Sequence, residues 1–147
     1  MKSAVRLFQL FNSTCAAVTL TALCALNCAA DSGTATSSPE TVSFQKDVLP
    51  GLIDNCSVCH RAEDPHGYLV IDRKTTYQAI VNVNSYQLPS MKRVEPGKPE
   101  QSYLWLKSIN THHEAGGYGW NMPVMTGLYG PLKDRLYQWI LEGAKNN

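Results

Sequence analysis

Five consecutive residues, Cys56-Ser57-Val58-Cys59-His60, constrain this chain more than any other stretch of it. Two cysteines three apart on a helical turn project to one side, and the histidine that follows can bring its imidazole to the same region. CxxCH is the attachment pattern of a c-type haem: Cys56 and Cys59 form thioethers to the vinyl groups of one porphyrin edge, and His60 takes the iron from one face as the proximal ligand. Three other chemistries use part of the same set. A structural zinc site needs four Cys or His ligands; His66, His112 and His113 can complete one, but without the paired spacing of a zinc finger. A thioredoxin-like redox dithiol needs a strand before the motif and a βαβ pattern around it, whereas Asp54-Asn55 precede Cys56 and no strand alternation is visible. A plain Cys56–Cys59 disulfide is the simplest alternative.

The start of the chain bears on the choice, because covalent haem attachment goes with export. Lys2 and Arg6 are followed by an uncharged stretch from Cys15 to Ala30, rich in Ala, Leu, Thr and Cys, and then by small polar residues. That order reads as a signal peptide over residues 1–30, a flexible linker over 31–41 and a folded domain over 42–147. The apolar run is broken by Asn27 and by threonines and is shorter than the ~20 residues a spanning helix needs. Cys28-Ala29-Ala30 offers a small-residue cleavage site after Ala30. Ala25-Leu26-Asn27-Cys28 is an imperfect bacterial lipobox, and cleavage before Cys28 gives it a lipid and makes the linker a tether to the membrane surface. In either case Cys15, Cys24 and Cys28 lie before the folded domain, which leaves Cys56 and Cys59 to the domain and excludes a disulfide framework. The 147 residues carry 13 Lys plus Arg against 12 Asp plus Glu, and without the first 30 residues the balance is 11 to 12. Such a chain, with no Lys/Arg block longer than a pair, is no broad nucleic-acid binder.

An electron-transfer haem keeps a second axial ligand, and the domain offers Met91, Met122 and Met125. Met122 is the choice. It follows a glycine-rich stretch, His112 to Asn121, that can bring backbone close to a flat ligand, and Pro123 biases it towards an extended conformation that can present sulfur to the iron. Met125 and Met91 are the rival sulfurs. His112 and His113 are the rival histidines and, in a glycine-rich loop, read as solvated; His66, between Pro65 and Gly67, reads as a turn residue. Trp120 and Tyr118 are the aromatics best placed to touch the porphyrin, while Trp105 and Trp139 read as core.

These residues resemble the small monohaem c-type cytochromes, and most closely the cytochrome c domain of planctomycetes and similar bacteria. The resemblance runs from about Val42 to Ala144. It includes Phe44 and Val48-Leu49-Pro50 before the motif, Gly67-Tyr68-Leu69, Glu95-Pro96-Gly97-Lys98-Pro99-Glu100, Met122-Pro123, and Trp139-Ile140-Leu141-Glu142-Gly143-Ala144. Members commonly carry Met-Pro-Pro, whereas Val124 and Met125 follow Pro123 here. The resemblance implies an all-α, cytochrome c-like fold of short helices and long loops around one covalent haem, and a carrier that serves redox protein partners.

Local patterns are consistent with that architecture. Phe44, Val48, Leu49, Leu52 and Ile53 fall at helical spacing with Ser43 as N-cap, and Pro50 either kinks this helix or starts it. Thr75 to Val83 has helical character through Tyr77, Ile80 and Val81. Pro99 to Ile109 predicts a helix opened by its proline. Gly130-Pro131 opens a last helix with Leu132, Leu136, Trp139 and Ile140 on one face and Gly143 past its end. The expected function is that of an exported one-electron carrier in a bacterial periplasm, with His60 and Met122 on the iron. Two other readings are a haem enzyme or gas sensor with an open or displaceable distal site, where His112 or Glu114 assists proton transfer, and a haem subunit of a larger oxidoreductase.

Overall fold

The computed structural model describes residues 40–147; the expected signal peptide, Cys28 and the linker up to residue 39 lie outside the described residues. Ser43 starts the first helical segment. Its hydroxyl accepts from the Lys46 amide at 3.3 Å, while the Asp47 carboxylate accepts from the Ser43 amide at 2.9 Å, so two amides without helical partners are satisfied reciprocally. Phe44–Val48 form a wide π-type turn that passes into α1 (Leu49–Cys56). Pro50 sits in the first turn of α1, where a missing N–H costs no helical bond. The regular helix therefore starts at the proline, and Phe44, Val48, Leu49 and Leu52 are all buried.

After the Cys56–Cys59 turn the chain is not purely helical. β1 (His60–Arg61) and β2 (Asp64–Pro65) make a two-stranded antiparallel ribbon, with His60 opposite Pro65 and Arg61 opposite Asp64. Isolated bridges join Val81 to Val94, Asn84 to Lys92 and Lys92 to Ser102. The all-α expectation is thus corrected to helices with a small ribbon. Strands of two residues are too short to leave an alternation of apolar and polar positions in the sequence.

The helical expectation over 75–83 narrows to α2 (Thr76–Ile80). Asp72 prepares it: its carboxylate accepts from the Lys74 and Thr75 amides at 2.7 and 2.6 Å. The expected helix over 99–109 is broken. Pro99–Gln101 form a single tight turn, Ser102 is extended, and α3 runs from Tyr103 to Ser108. α4 (Gly130–Leu141) ends in a Schellman arrangement: the Ala144 amide donates to Trp139 O at 2.9 Å and the Gly143 amide to Ile140 O at 3.0 Å, with Gly143 at φ +99°.

Phe44, Trp139 and Tyr77 pack together on one side of the core, with the Phe44 and Trp139 ring centres 4.9 Å apart. The polar tips of this group are satisfied by the last residues, Tyr77 Oη donating to Ala144 O and Trp139 Nε1 to Lys145 O. None of the described helices is long and apolar enough to cross a membrane.

Candidate functional site

The C-terminal end of α1, the ribbon and α3 surround a cavity of about 490 Å³ together with residues 85–87 and 118–128. That volume lies within the roughly 300–1,000 Å³ of small-molecule and cofactor sites. Its floor is apolar, built from Leu52, Leu69, Ile71, Leu104 and Leu128. Cys56 and His60 from the motif and Met122 from far along the chain all line it, and so do His66, Tyr118 and Trp120. Met125 does not: it is 78% exposed, with φ +67°, and is outside the lining. Met91 is likewise outside the lining. Cys59, exposed on the turn, is not part of the lining either.

His60 is held through one of its two ring nitrogens. Its Nδ1 lies 3.2 Å from Leu69 O, and since a carbonyl only accepts, Nδ1 carries the proton and Nε2 keeps its lone pair. A backbone carbonyl that fixes tautomer and ring orientation in this way is the usual outer partner of a metal-ligating histidine. Burial lowers the pKa of His60, against the raising effect of the Leu69 carbonyl, and so favours the neutral ring that ligation requires. The Ile71 amide donates to His60 O at 2.7 Å and ties the ribbon to the cavity floor.

The two thiols are not joined, and the Cys56 thiol is pushed up to about 11 by burial, with the neighbouring Cys59 adding to the rise. A redox dithiol depends on the opposite shift, commonly from a helix N-terminus. Cys56 instead closes the C-terminal end of α1, with no strand before it. No three His, Cys, Asp or Glu side chains among the described residues gather closely enough to hold a metal ion, so His112 and His113 do not complete a zinc set with the two cysteines. His112 departs from the solvated loop residue that the glycines around it suggested. It is fully buried, its ring lies 4.0 Å from that of the exposed His113, and neither it nor Glu114 lines the cavity.

Two cations, Arg93 and Lys107, line the cavity, and its lining contains no carboxylate. Neither forms an ion pair among the described residues. Arg93 donates to the carbonyls of Ala79, Gly67 and Tyr68, and Lys107 to that of Tyr118. Partly buried cations without counter-ions add positive charge to a cavity with an apolar floor. A largely apolar ligand that carries acidic groups matches that charge. Sequence reasoning singled out Cys56, His60 and Met122 but missed these two cations, because no motif surrounds Arg93 or Lys107. Comparison of the chain with family models, with curated proteins and with solved structures gave no match.

Proposed function

We propose that this protein is an exported c-type cytochrome, a one-electron carrier with a single covalent haem. The observation that carries the reading is the meeting of Cys56 and His60 from the motif with Met122, distant in sequence, in the lining of one cavity. Cys56 and Cys59 hold the group covalently, His60 offers Nε2 as proximal ligand, and Met122 offers its sulfur as distal ligand. Reversible one-electron exchange at iron is the chemistry the haem supplies when bound. The chain does the rest. Leu52, Leu69, Ile71 and Leu128 would exclude water from the macrocycle, Leu69 O keeps His60 in one tautomer, and Arg93, which has no carboxylate partner among the described residues, would suit a propionate carboxylate. A thioether ligand favours the reduced iron and raises the potential.

The finer description that goes with this reading is a cytochrome c-like fold, for which short helices, long loops and a central cavity speak. Redox proteins are the partners, through the small and transient interfaces typical of such encounters. Localisation in a bacterial periplasm, with a lipid tether through Cys28, belongs to the same proposal, and Cys28→Ala is expected to move the protein from the membrane fraction to the soluble one.

The direct test is expression with a c-type maturation system followed by full denaturation. Haem is expected to stay on the chain, and Cys56→Ala combined with Cys59→Ala is expected to lose it. Haem that washes away from the denatured wild type overturns the proposal.

A further inference from the structure

Lys107 lies in α3, is only 5% exposed, and holds the glycine-rich loop at two points. Its ammonium donates to Tyr118 O at 2.7 Å, and its own carbonyl accepts from the Met122 amide at 3.0 Å. Two further bonds come from the end of the same segment: the Gly117 amide donates to His112 O at 2.8 Å, and His112 Nε2 donates to Gly119 O at 2.9 Å. Tyr103, also in α3, closes the remaining side, where a Cβ on Gly117 would come within 2.6 Å of its hydroxyl and 2.8 Å of His112 O.

The loop's other bonds are local to it: the Gly116 amide donates to His113 O at 3.0 Å, and His113 Nδ1 lies 3.2 Å from Gly117 O. Gly116 and Gly119 take φ +90° and +76°, and the side chains of Tyr118 and Trp120 are more than half exposed. Asn121 at its end is the one buried side chain of residues 113–121, and glycine-rich backbone with so few buried side chains is mobile unless its polar groups are fixed from outside. Burying an ammonium against a neutral carbonyl is costly, and a leucine or methionine would fill the same space at less cost. The cost is understandable if the charge holds something in place.

We infer that Lys107 is a positioning residue for Met122, clamping the 113–121 loop at both Tyr118 and Met122 so that the sulfur stays in the haem cavity. The inference rests on the reading of Met122 as distal ligand. Lys107 itself takes no part in electron exchange; it sets how firmly the thioether competes with outside ligands for the iron.

The test uses Lys107→Met in the haem-loaded protein, which keeps the apolar stem and removes the ammonium. Imidazole, which competes with the thioether, is expected to bind the oxidised variant about tenfold more tightly, because a hydrogen bond to a charged group is lost from the loop. Hydrogen exchange at residues 117–122 is expected to quicken by about the same factor, with α1 and α4 unchanged. A purely structural lysine would move all elements together. Unchanged imidazole affinity, or faster exchange throughout, overturns the clamp. If the wild type shows no methionine-to-iron absorption band, the reading of Met122 fails by itself, while the exchange comparison still decides whether Lys107 holds the loop. Should Lys107→Met not fold, Lys107→Gln, which keeps a donor without the charge, is expected to move both readouts in the same direction by a smaller factor, and unchanged readouts in a folded Lys107→Gln overturn the clamp. Wild-type exchange also decides: amides at 117 and 122 that exchange as fast as unprotected ones rule the clamp out.

Discussion

His112 shows what a single residue hides from a sequence reading. Flanked by His113 and a run of glycines, it reads as solvated, yet it is fully buried and its Nδ1 has no hydrogen-bond partner. With Nε2 donating to Gly119 O, Nδ1 is the unprotonated nitrogen, and protonating it would place a charged N–H in the interior without an acceptor. Burial accordingly lowers its pKa, against the raising effect of the Gly119 carbonyl, with Lys107 and His113 adding to the lowering. The sign follows from linkage. The unfolded chain takes up the proton first, so stability is whole above the ordinary histidine range and falls as pH drops below about 6.5. Denaturant midpoints measured from pH 8 to 5 are expected to show that acid limb, and His112→Gln is expected to flatten it. An acid limb equally steep in His112→Gln contradicts this assignment. By contrast, the meeting of Cys56, His60 and Met122 at one cavity follows the expectation drawn from residue type and spacing, a CxxCH motif and a Met-Pro step. Burial of a histidine depends on what other segments do, and no local signal records it.

At the scale of elements, the clearest difference from expectation is the break at Ser102. Pro99, Glu100 and the apolar residues after them predict one helix over 99–109, but Ser102 is extended and wholly buried. Its hydroxyl accepts from the Glu95 amide at 2.9 Å and donates to Lys98 O at 2.9 Å. Its neighbour Tyr103 donates to Lys92 O at 2.9 Å. A serine that competes with the helix for backbone partners is a known weak point of helical patterns, but the partners here come from the preceding loop and tertiary structure decides. Ser102→Ala strands the Glu95 amide and is expected to cost about 1–3 kcal/mol in urea unfolding. A loss below a few tenths of a kcal/mol would show that the hydroxyl is not what sets the break. The helix ends, in contrast, were readable: Ser43 caps the first segment, Pro50 and Pro131 occupy first turns, and Gly143 follows α4 in the left-handed conformation that favours glycine. Each of those signals acts within a few residues of itself. The ribbon of β1 and β2 has no such signal at two residues per strand.

For the molecule as a whole, the apolar-floored cavity of about 490 Å³ is bounded by α1, α3 and the loop that carries Met122. A domain of this size buries a modest core, and filling such a space supplies packing that the polypeptide alone lacks. The chain without haem is therefore expected to unfold at a distinctly lower temperature than the haem-loaded form. A cooperative transition at the same Tm in both would mean that the cavity is not where the group sits. The central claim is that His60 and Met122 share one iron, and visible and near-infrared absorption of the oxidised and reduced protein, with and without CO, tests it most directly. The expected result is a low-spin c-type spectrum with a methionine-to-ferric-iron band and no response to CO, the band disappearing in Met122→Ala and persisting in Met125→Ala. A high-spin spectrum that shifts with CO, or a band that survives in Met122→Ala, would contradict it.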